Sequence, residues 1–213
     1  MSKILQPAQL KYLQSFRKQP DEILMDMESF ASKKNIPILN WQSAEFLEQL
    51  ILLKEPRRVL EIGTAIGYST IRIARSLKKK STIDTIEKSR DNIALAEEYI
   101  TKAGLFDKVN IIEGDAIDVM PKLNKKYQFI FLDADKEDYK TMFNYSLILL
   151  KKGGVIVVDN LLWHGYAASV RVPASYKVST SFIRDFNNIF CTHPNLKTTI
   201  IPVGDGLGIG IKI

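Results

Sequence analysis

The chain has 213 residues, 46% hydrophobic and 25% charged, a balance typical of one globular domain that is large enough to bury a core. No apolar run approaches the roughly 20 residues of a membrane-spanning helix, and the single Cys191 excludes an intramolecular disulfide. We therefore predict a cytoplasmic protein with no membrane partner. The formal net charge of +6, with basic pairs such as Lys33-Lys34, favours a polyanionic partner over a merely solvated basic surface.

Residues 1–54 are predicted to form a helical segment that precedes the sheet. Helical periodicity is broken at Pro20, and Pro37 separates the first two helices from a third. Trp41 opens the third helix and is expected either to stack on a flat ligand or to pack in a core or interface. The predicted helices cover residues 4–16, 21–31 and 41–53.

From residue 58 onward, apolar runs of strand length alternate with segments of helical periodicity. This order predicts an α/β fold with a doubly wound, mainly parallel, seven-stranded sheet in a single domain spanning residues 1–213. The later strands are predicted at residues 82–87, 109–112, 129–132, 155–158, 198–202 and 208–213. The helices are predicted at residues 68–77, 90–101, 136–150 and 175–190.

The first strand runs into a turn that contains Gly63 and Gly67, and a helix follows. A strand, a glycine turn and a helix open nucleotide-binding units, because glycine lets the backbone approach a ligand closely. The spacing is not Gly-x-Gly-x-x-Gly, and the absence of a following Gly-Lys-Ser/Thr excludes a P-loop. On its own the turn is a weak signal, because such a turn also occurs as a tight structural connection.

Polar side chains occur where successive strands are predicted to end. They are Glu61, Glu87, Asp115, Asp133 and the pair Asp159-Asn160. Because parallel strands end at the same edge of a sheet, we expect these side chains to meet at a ligand site. Glu87 lies about 20 residues beyond the glycine turn, the spacing of a carboxylate that binds a ribose diol. The alternative for Glu87 is a solvated loop acid or a helix N-cap.

Asp133, Asp159 and Asn160 form a set of oxygen donors on neighbouring predicted strands. Two carboxylates and one amide carbonyl suit a hard cation such as Mg²⁺. Zinc is disfavoured because no His or Cys accompanies them. The structural alternative is that these residues cap the helices that follow their strands.

Four short motifs together resemble the cation-dependent O-methyltransferases, the family of the catechol and caffeoyl-CoA O-methyltransferases. They are Glu-Ile-Gly-Thr-Ala-Ile-Gly-Tyr-Ser at residues 61–69, Glu87, Asp-Ala-Asp-Lys at residues 133–136 and Asp159-Asn160. The resemblance runs from about residue 40 to the C-terminus, and among bacterial members it is strongest to the tRNA 5-hydroxyuridine methyltransferases. It implies a Rossmann-like class I methyltransferase fold, the cofactors S-adenosylmethionine (SAM) and Mg²⁺, and a homodimer in which residues 1–54 cap the site and contact the partner.

The resemblance also implies roles for individual residues. The expected SAM contacts are Glu61, Gly63, Tyr68 and Ser69 around the methionine part, Glu87 on the ribose, Asp115 and Ala116 at the adenine, and Asp133. Lys136 is expected to act as the general base, with a surface helix lysine as the alternative. His164 is expected either to line the substrate pocket or to be an ordinary loop histidine.

Two positions depart from the catechol enzymes of this family. Their glutamate after Asp-Gly-Leu is Gly208 here, and their aromatic wall beside the metal aspartate is Ala134-Asp135. We therefore expect a more open, more polar pocket mouth and favour 5-hydroxyuridine in tRNA as the acceptor, since its hydroxyl lies beside a carbonyl and the pair can chelate a metal. A small catechol or phenol is the alternative within the class. A nucleotide-binding protein or NAD-dependent oxidoreductase is the alternative outside it.

Overall fold

The computed structural model describes residues 6–213 of the chain. The strands are β1 (Arg58–Ile62), β2 (Thr82–Glu87), β3 (Val109–Glu113), β4 (Tyr127–Leu132), β5 (Leu150–Val158), β6 (Leu196–Ile201) and β7 (Leu207–Lys212). The α-helices are α1 (Pro7–Gln14), α2 (Glu22–Lys34), α3 (Trp41–Lys54), α4 (Tyr68–Ser76), α5 (Arg90–Lys102), α6 (Ala116–Val119), α7 (Tyr139–Leu149) and α8 (Lys177–Cys191). The first two residues of the helix predicted at 4–16 lie outside the described residues.

The strands form one seven-stranded sheet in the order β3-β2-β1-β4-β5-β7-β6. Strands β1 to β5 pair in parallel, whereas β7 pairs antiparallel with both β5 and β6. The order reverses between β1 and β4, and the carboxyl ends of the five parallel strands therefore share one edge around this switch point. The predicted doubly wound α/β sheet is confirmed.

Both faces of the sheet are covered, as the continuous apolar runs in its central strands predict. In β4, Phe129 and Phe131 pack into the core that contains α3 and α4, while Ile130 and Leu132 pack into the core that contains α7 and α8. All four side chains are fully buried. Burying one such side chain contributes about 1.5–3 kcal/mol, so this strand fixes the centre of the fold.

Several element boundaries differ from the prediction. Strand β5 begins at Leu150 rather than at residue 155, because Leu150 already pairs with Tyr127 before the register shifts. The helix predicted from residue 136 opens with a 3₁₀ turn at Lys136–Asp138 and becomes α-helical only at Tyr139. The short helix α6 was not predicted, although Asp115 caps it by accepting from the Ile117 N–H at 3.0 Å.

The N-terminal helices are joined to α4, the helix after the glycine turn, by a buried polar network. The Tyr68 hydroxyl donates to Glu28 on α2 at 2.6 Å and accepts from Arg72 at 3.0 Å. Arg72 in turn donates twice to Glu48 on α3, at 2.7 and 3.0 Å. These contacts anchor α4 against α2 and α3. Among residues 6–213, no helix has both the length and the apolar content to span a membrane.

Candidate active site at the carboxyl edge of the sheet

A cleft of about 870 Å³ opens where the parallel strands end. The predicted site residues that line it are Gly63, Tyr68, Ser69, Glu87, Asp115, Ala116, Asp133, Lys136, Asp159 and Asn160. Glu61 is the predicted site residue that the structure does not place on the cleft wall. His164 also lines the cleft, which favours its predicted pocket position over an ordinary loop histidine.

A smaller cavity of about 260 Å³ lies between α1, α3 and the turn that joins β6 to β7. It holds none of the predicted site residues. Trp41 lines this cavity, and the Arg17 guanidinium lies 5.3 Å from the centre of its ring. Trp41 therefore packs between helices and does not line the main cleft, so the packing alternative holds for this residue.

The glycine turn lets the chain pass unusually close to the end of β4. Gly63 has a φ of +99°, and a Cβ placed on it would lie 1.9 Å from the backbone oxygen of Asp133. Gly67, with a φ of +86°, precedes α4 and offers no capping side chain to the first N–H groups of that helix. An anionic group can use such N–H groups, and Ser69 lies in the same turn. The Tyr68 hydroxyl donates its proton to Glu28 and accepts from Arg72, so it has no proton left to donate to a ligand.

Glu61 lies beneath the glycine turn and is fully buried. Its Oε2 accepts from Thr70 at 2.5 Å and from Thr85 at 2.7 Å, while its Oε1 has no hydrogen-bond partner among the described residues. Burial raises the pKa of Glu61 from 4.5 to about 7, although the hydrogen bonds from Thr70 and Thr85 oppose the rise. Glu61 therefore offers buried negative charge behind the cleft wall rather than a direct contact surface.

Glu87 is organised by the backbone around it. Its Oε2 accepts from the Ala65 N–H at 2.8 Å, and its Oε1 accepts from the N–H groups of Lys88 and Ser89 at 3.0 and 2.9 Å. Ser89, not Glu87, caps α5, so the N-cap alternative for Glu87 is wrong. Three backbone donors hold the carboxylate at the cleft wall in one orientation, with lone pairs left for the hydroxyl groups of a ligand.

Asp133 and Asp159 face the same part of the cleft from β4 and β5. Asp159 is almost fully buried, and its Oδ1 has no hydrogen-bond partner among the described residues. Burial, reinforced by the charge of Asp133, raises the pKa of Asp159. Asn160, which has a φ of +61°, follows Asp159 and also lines the cleft. None of the three caps a helix, so the capping alternative is wrong for this set.

Lys136 lies beside these carboxylates and is 12% exposed, which rules out a surface lysine. Its Nζ donates to Asp133 Oδ1 at 3.1 Å, to the Ala134 carbonyl at 2.9 Å and to the Tyr139 hydroxyl at 2.7 Å. Burial lowers the pKa of Lys136, but Tyr139 and Asp133 outweigh it and raise the pKa above its usual value. With these contacts alone, Lys136 is an ammonium group at neutral pH.

An aromatic wall on the loop after β5 was not predicted from the sequence. The indole of Trp163 lies 5.9 Å from Lys136 Nζ, and its ring centre is 5.2 Å from that of His164. Tyr166 and Tyr176 extend the group, with ring centres 5.0 Å apart. The sequence feature that could have predicted this wall is Trp163, an aromatic residue three positions after Asn160. Flat aromatic surfaces beside a polar site suit a planar substrate.

The expectation that Gly208 opens the pocket is wrong. Gly208 lies in β7 opposite Val158, and a Cβ placed on it would meet Leu161 at 2.4 Å and Phe190 at 3.0 Å. The position is filled by core packing and does not line the cleft. Ala134 and Asp135, which replace the aromatic wall of the catechol enzymes, do line the cleft as expected.

Comparison with known proteins places this geometry in a family. A sequence model described as O-methyltransferase matches residues 14–213. Caffeoyl-CoA O-methyltransferase 1 of Arabidopsis thaliana is 34% identical over 191 residues, which are 84% of this chain and 73% of the plant protein. The O-methyltransferase TomG of Streptomyces achromogenes, involved in tomaymycin synthesis and solved with SAM, has a TM-score of 0.84 at 27% identity, covering 94% of each chain.

An O-methyltransferase of Bacillus cereus, solved in complex with SAH, has a TM-score of 0.85 at 27% identity, and 97% of each chain is covered. The match to the family model spans nearly the whole chain, and the solved relatives share the seven-stranded architecture. The family match favours methyl transfer over the predicted alternative of NAD-dependent oxidation. The chain therefore belongs to the cation-dependent O-methyltransferase family and is a SAM-dependent O-methyltransferase.

Proposed function

We propose that this enzyme is Mg²⁺-dependent and methylates the hydroxyl of 5-hydroxyuridine in tRNA to give 5-methoxyuridine. The cofactor half of the cleft supports SAM at Gly63, Ser69 and Glu87. Gly63 lets the turn pack against the end of β4 at the cleft wall. The first turn of α4 offers N–H groups to the methionine carboxylate, and Glu87 offers its carboxylate to the ribose hydroxyls. Asp115 and Ala116, at the end of β3, would border the adenine.

The residues beside Lys136 fit a hard divalent cation. Asp133, Asp159 and Asn160 supply oxygen only, and the partnerless, buried Oδ1 of Asp159 is a donor without any other use in the described structure. No group of three or more His, Cys, Asp or Glu side chains arranged for a metal occurs within residues 6–213, which agrees with a site completed by Asn160 and the acceptor's own oxygens. When bound, Mg²⁺ would supply positive charge that acidifies the acceptor hydroxyl and lowers the pKa of Lys136.

Lys136 is placed to receive the proton of the acceptor hydroxyl once it has lost its own. The buried Tyr139 hydroxyl and the Asp133 carboxylate hold its Nζ at the cleft wall. The deprotonated acceptor oxygen would then attack the methyl group of SAM in line, forming the C–O bond as the C–S bond breaks. Positioning of the two substrates by the cleft walls would supply much of the rate.

One observation supports the choice of tRNA: exposed basic side chains without ion-pair partners lie close in sequence to residues that line the cleft. Residues 37–39, which follow Lys33 and Lys34, line the cleft, and so does Ser179, close to Lys177. Lys33, Lys34 and Lys177 are exposed, and within residues 6–213 none of them has an ion-pair partner. Exposed lysines without partners suit phosphates, and 5-hydroxyuridine chelates a metal as a catechol does.

A small phenolic acceptor is the second candidate, because the curated relatives that match this chain are caffeoyl-CoA O-methyltransferases. The aromatic wall at Trp163 suits a phenol and a pyrimidine equally. Gly208 no longer argues against the phenol, since it is buried in the core. The exposed lysines at positions 33, 34 and 177 are what favours tRNA over the phenol.

A charge-reversal pair tests the tRNA assignment. The variant carries Lys33→Glu and Lys34→Glu, and the control carries Lys151→Glu and Lys152→Glu at the exposed start of β5, on the opposite edge of the sheet. Both proteins have the same net charge. We expect the first to lose affinity for tRNA that contains 5-hydroxyuridine while it keeps SAM affinity, and the control to behave like the wild type.

Salt provides an independent measure in the same assay. If several phosphates are bound, the apparent affinity for tRNA should fall roughly tenfold to a thousandfold between low and moderate salt. Efficient methylation of a free catechol with salt-independent kinetics, and none of the tRNA, would overturn the tRNA proposal in favour of the phenolic acceptor.

A further inference from the structure

The loop that carries the aromatic wall has an unusual backbone. Asn160, Trp163 and His164 have φ values of +61°, +47° and +56°, and Gly165 follows at +83°. Left-handed backbone is disfavoured for residues that carry a Cβ, and it persists only where the surrounding structure holds it. Three such residues within five positions at the edge of the cleft therefore require an external support.

The turn between β6 and β7 supplies that support through Asp205. Both carboxylate oxygens of Asp205 accept from the His164 N–H, at 2.7 and 2.9 Å, and the carboxyl group is 13% exposed. The backbone oxygen of Asp205 accepts from the Leu162 N–H at 2.9 Å, and that of Gly206 accepts from the Leu161 N–H at 2.9 Å. The turn and the loop are thus joined over consecutive residues, and the Asp205 carboxylate binds the left-handed segment itself.

This support determines where the indole of Trp163 lies. Trp163 immediately precedes His164, whose N–H is bonded to Asp205, and the Trp163 ring centre is 5.9 Å from Lys136 Nζ. Its Nε1 is buried and has no acceptor among the described residues. If the His164 N–H were released, the loop could relax from its left-handed conformation and move the indole away from Lys136.

We infer that Asp205 is a positioning residue for the acceptor half of the active site. Asp205 does not line the cleft. It accepts a hydrogen bond from the side chain of Asn160 as well as from the His164 N–H, and it acts by holding the loop that presents Trp163 beside Lys136. The inference rests on the proposed function in one respect, that the acceptor binds against Trp163 and Lys136. It predicts that loss of the carboxylate impairs acceptor binding while SAM binding is unchanged.

Fluorescence tests the positioning step without any acceptor. The chain has two tryptophans, so in a Trp41→Phe background all indole emission comes from Trp163. Asp205→Ala should raise the acrylamide quenching of this emission and shift it to the red, and Asp205→Asn, which keeps an oxygen acceptor, should give an intermediate result. Asp107→Asn, at an exposed position far along the chain, is the control. Unchanged quenching in folded Asp205→Ala would overturn the inference.

Kinetics on the same variants test the consequence. A charge-assisted hydrogen bond is lost, so the KM for the acceptor should rise roughly tenfold in Asp205→Ala and less in Asp205→Asn, with calorimetric SAM affinity unchanged. A purely structural defect would lower the active fraction, and hence kcat, without raising that KM. Equal losses of SAM and acceptor binding would also overturn the inference. If Asp205→Ala does not fold, Asp205→Asn alone must show the changed quenching. If the fluorescence changes as expected but the wild type methylates neither tRNA nor catechol, the positioning role of Asp205 holds and the proposed acceptor is contradicted.

Discussion

Replacing Glu61 by Gln should change how the stability of the enzyme depends on pH. Glu61 is fully buried, and its pKa is raised from 4.5 to about 7 by burial. The folded protein therefore binds this proton more tightly than the unfolded chain, and stability falls as pH rises from about 4.5 to about 7. At about 1.4 kcal/mol per pH unit, the full loss is on the order of 3 kcal/mol. Glu61→Gln does not titrate and should not show this loss.

Urea unfolding of the wild type and Glu61→Gln at several pH values between 5 and 8.5 measures the effect. The difference in unfolding free energy between the two proteins is the relevant quantity, because other buried acids, Asp159 among them, contribute equally to both. Over this pH range we expect the difference to move by about 2.5 kcal/mol in favour of Glu61→Gln as the pH rises. If the two proteins change in parallel, the buried Glu61 carboxylate is not the source of the pH dependence.

The pH dependence of SAM affinity tests whether the ionised Glu61 carboxylate contributes to SAM binding. The methionine part of SAM carries an ammonium and a sulfonium, and the ionised form of Glu61 lies beneath the turn expected to hold it. Calorimetry should therefore show wild-type SAM affinity rising between pH 5.5 and pH 8, and a weaker, nearly pH-independent affinity in Glu61→Gln. Equal SAM affinity of the two proteins at pH 8 would contradict this role.

Three further changes test the cleft. Gly63→Ala should lower the unfolding free energy by about 2 kcal/mol or more and abolish SAM binding, because its Cβ would lie 1.9 Å from a backbone oxygen. The control is Gly153→Ala, which is also at positive φ but has open space around it. Urea unfolding of the two variants measures the difference. Glu87→Ala should weaken SAM binding by about 1.5–3 kcal/mol in calorimetry, and unchanged affinity in a folded variant would remove Glu87 from the site. EDTA should abolish turnover and Mg²⁺ should restore it, while Asp133→Ala loses turnover but retains SAM binding; full activity in EDTA would refute the metal mechanism.

Local patterns predicted the fold and the place of the site. The apolar run that forms β4 identifies a strand buried on both faces, and the positions of Glu87, Asp133 and Asp159 at strand ends place them on one edge once the sheet is parallel. Gly63 was expected to let the backbone approach a ligand closely, whereas the structure shows that it lets the turn approach the backbone of Asp133. These features depend on residues near one another in sequence.

Contacts between distant segments could not be predicted in this way. The clamp of Asp205 on His164 joins residues 41 positions apart, and no periodicity encodes it. Gly208 was interpreted through family resemblance as an opening in the pocket, whereas the packing of Leu161 and Phe190 fills that space. Glu61 was expected at the cleft wall because it lies near a strand end. It is instead fully buried, and Thr70 and Thr85 donate hydrogen bonds to its carboxylate there.

The transfer of a deuterium-labelled methyl group from SAM tests the central claim most directly. The enzyme would be offered tRNA that contains 5-hydroxyuridine together with a free catechol at equal concentration, with Mg²⁺ in one arm and EDTA in the other. Mass spectrometry of the digested nucleosides should find the label as 5-methoxyuridine in the Mg²⁺ arm only, with little label on the catechol. Label on the catechol alone would contradict the tRNA assignment, and label on tRNA in both arms would contradict the role given to Asp133, Asp159 and Asn160.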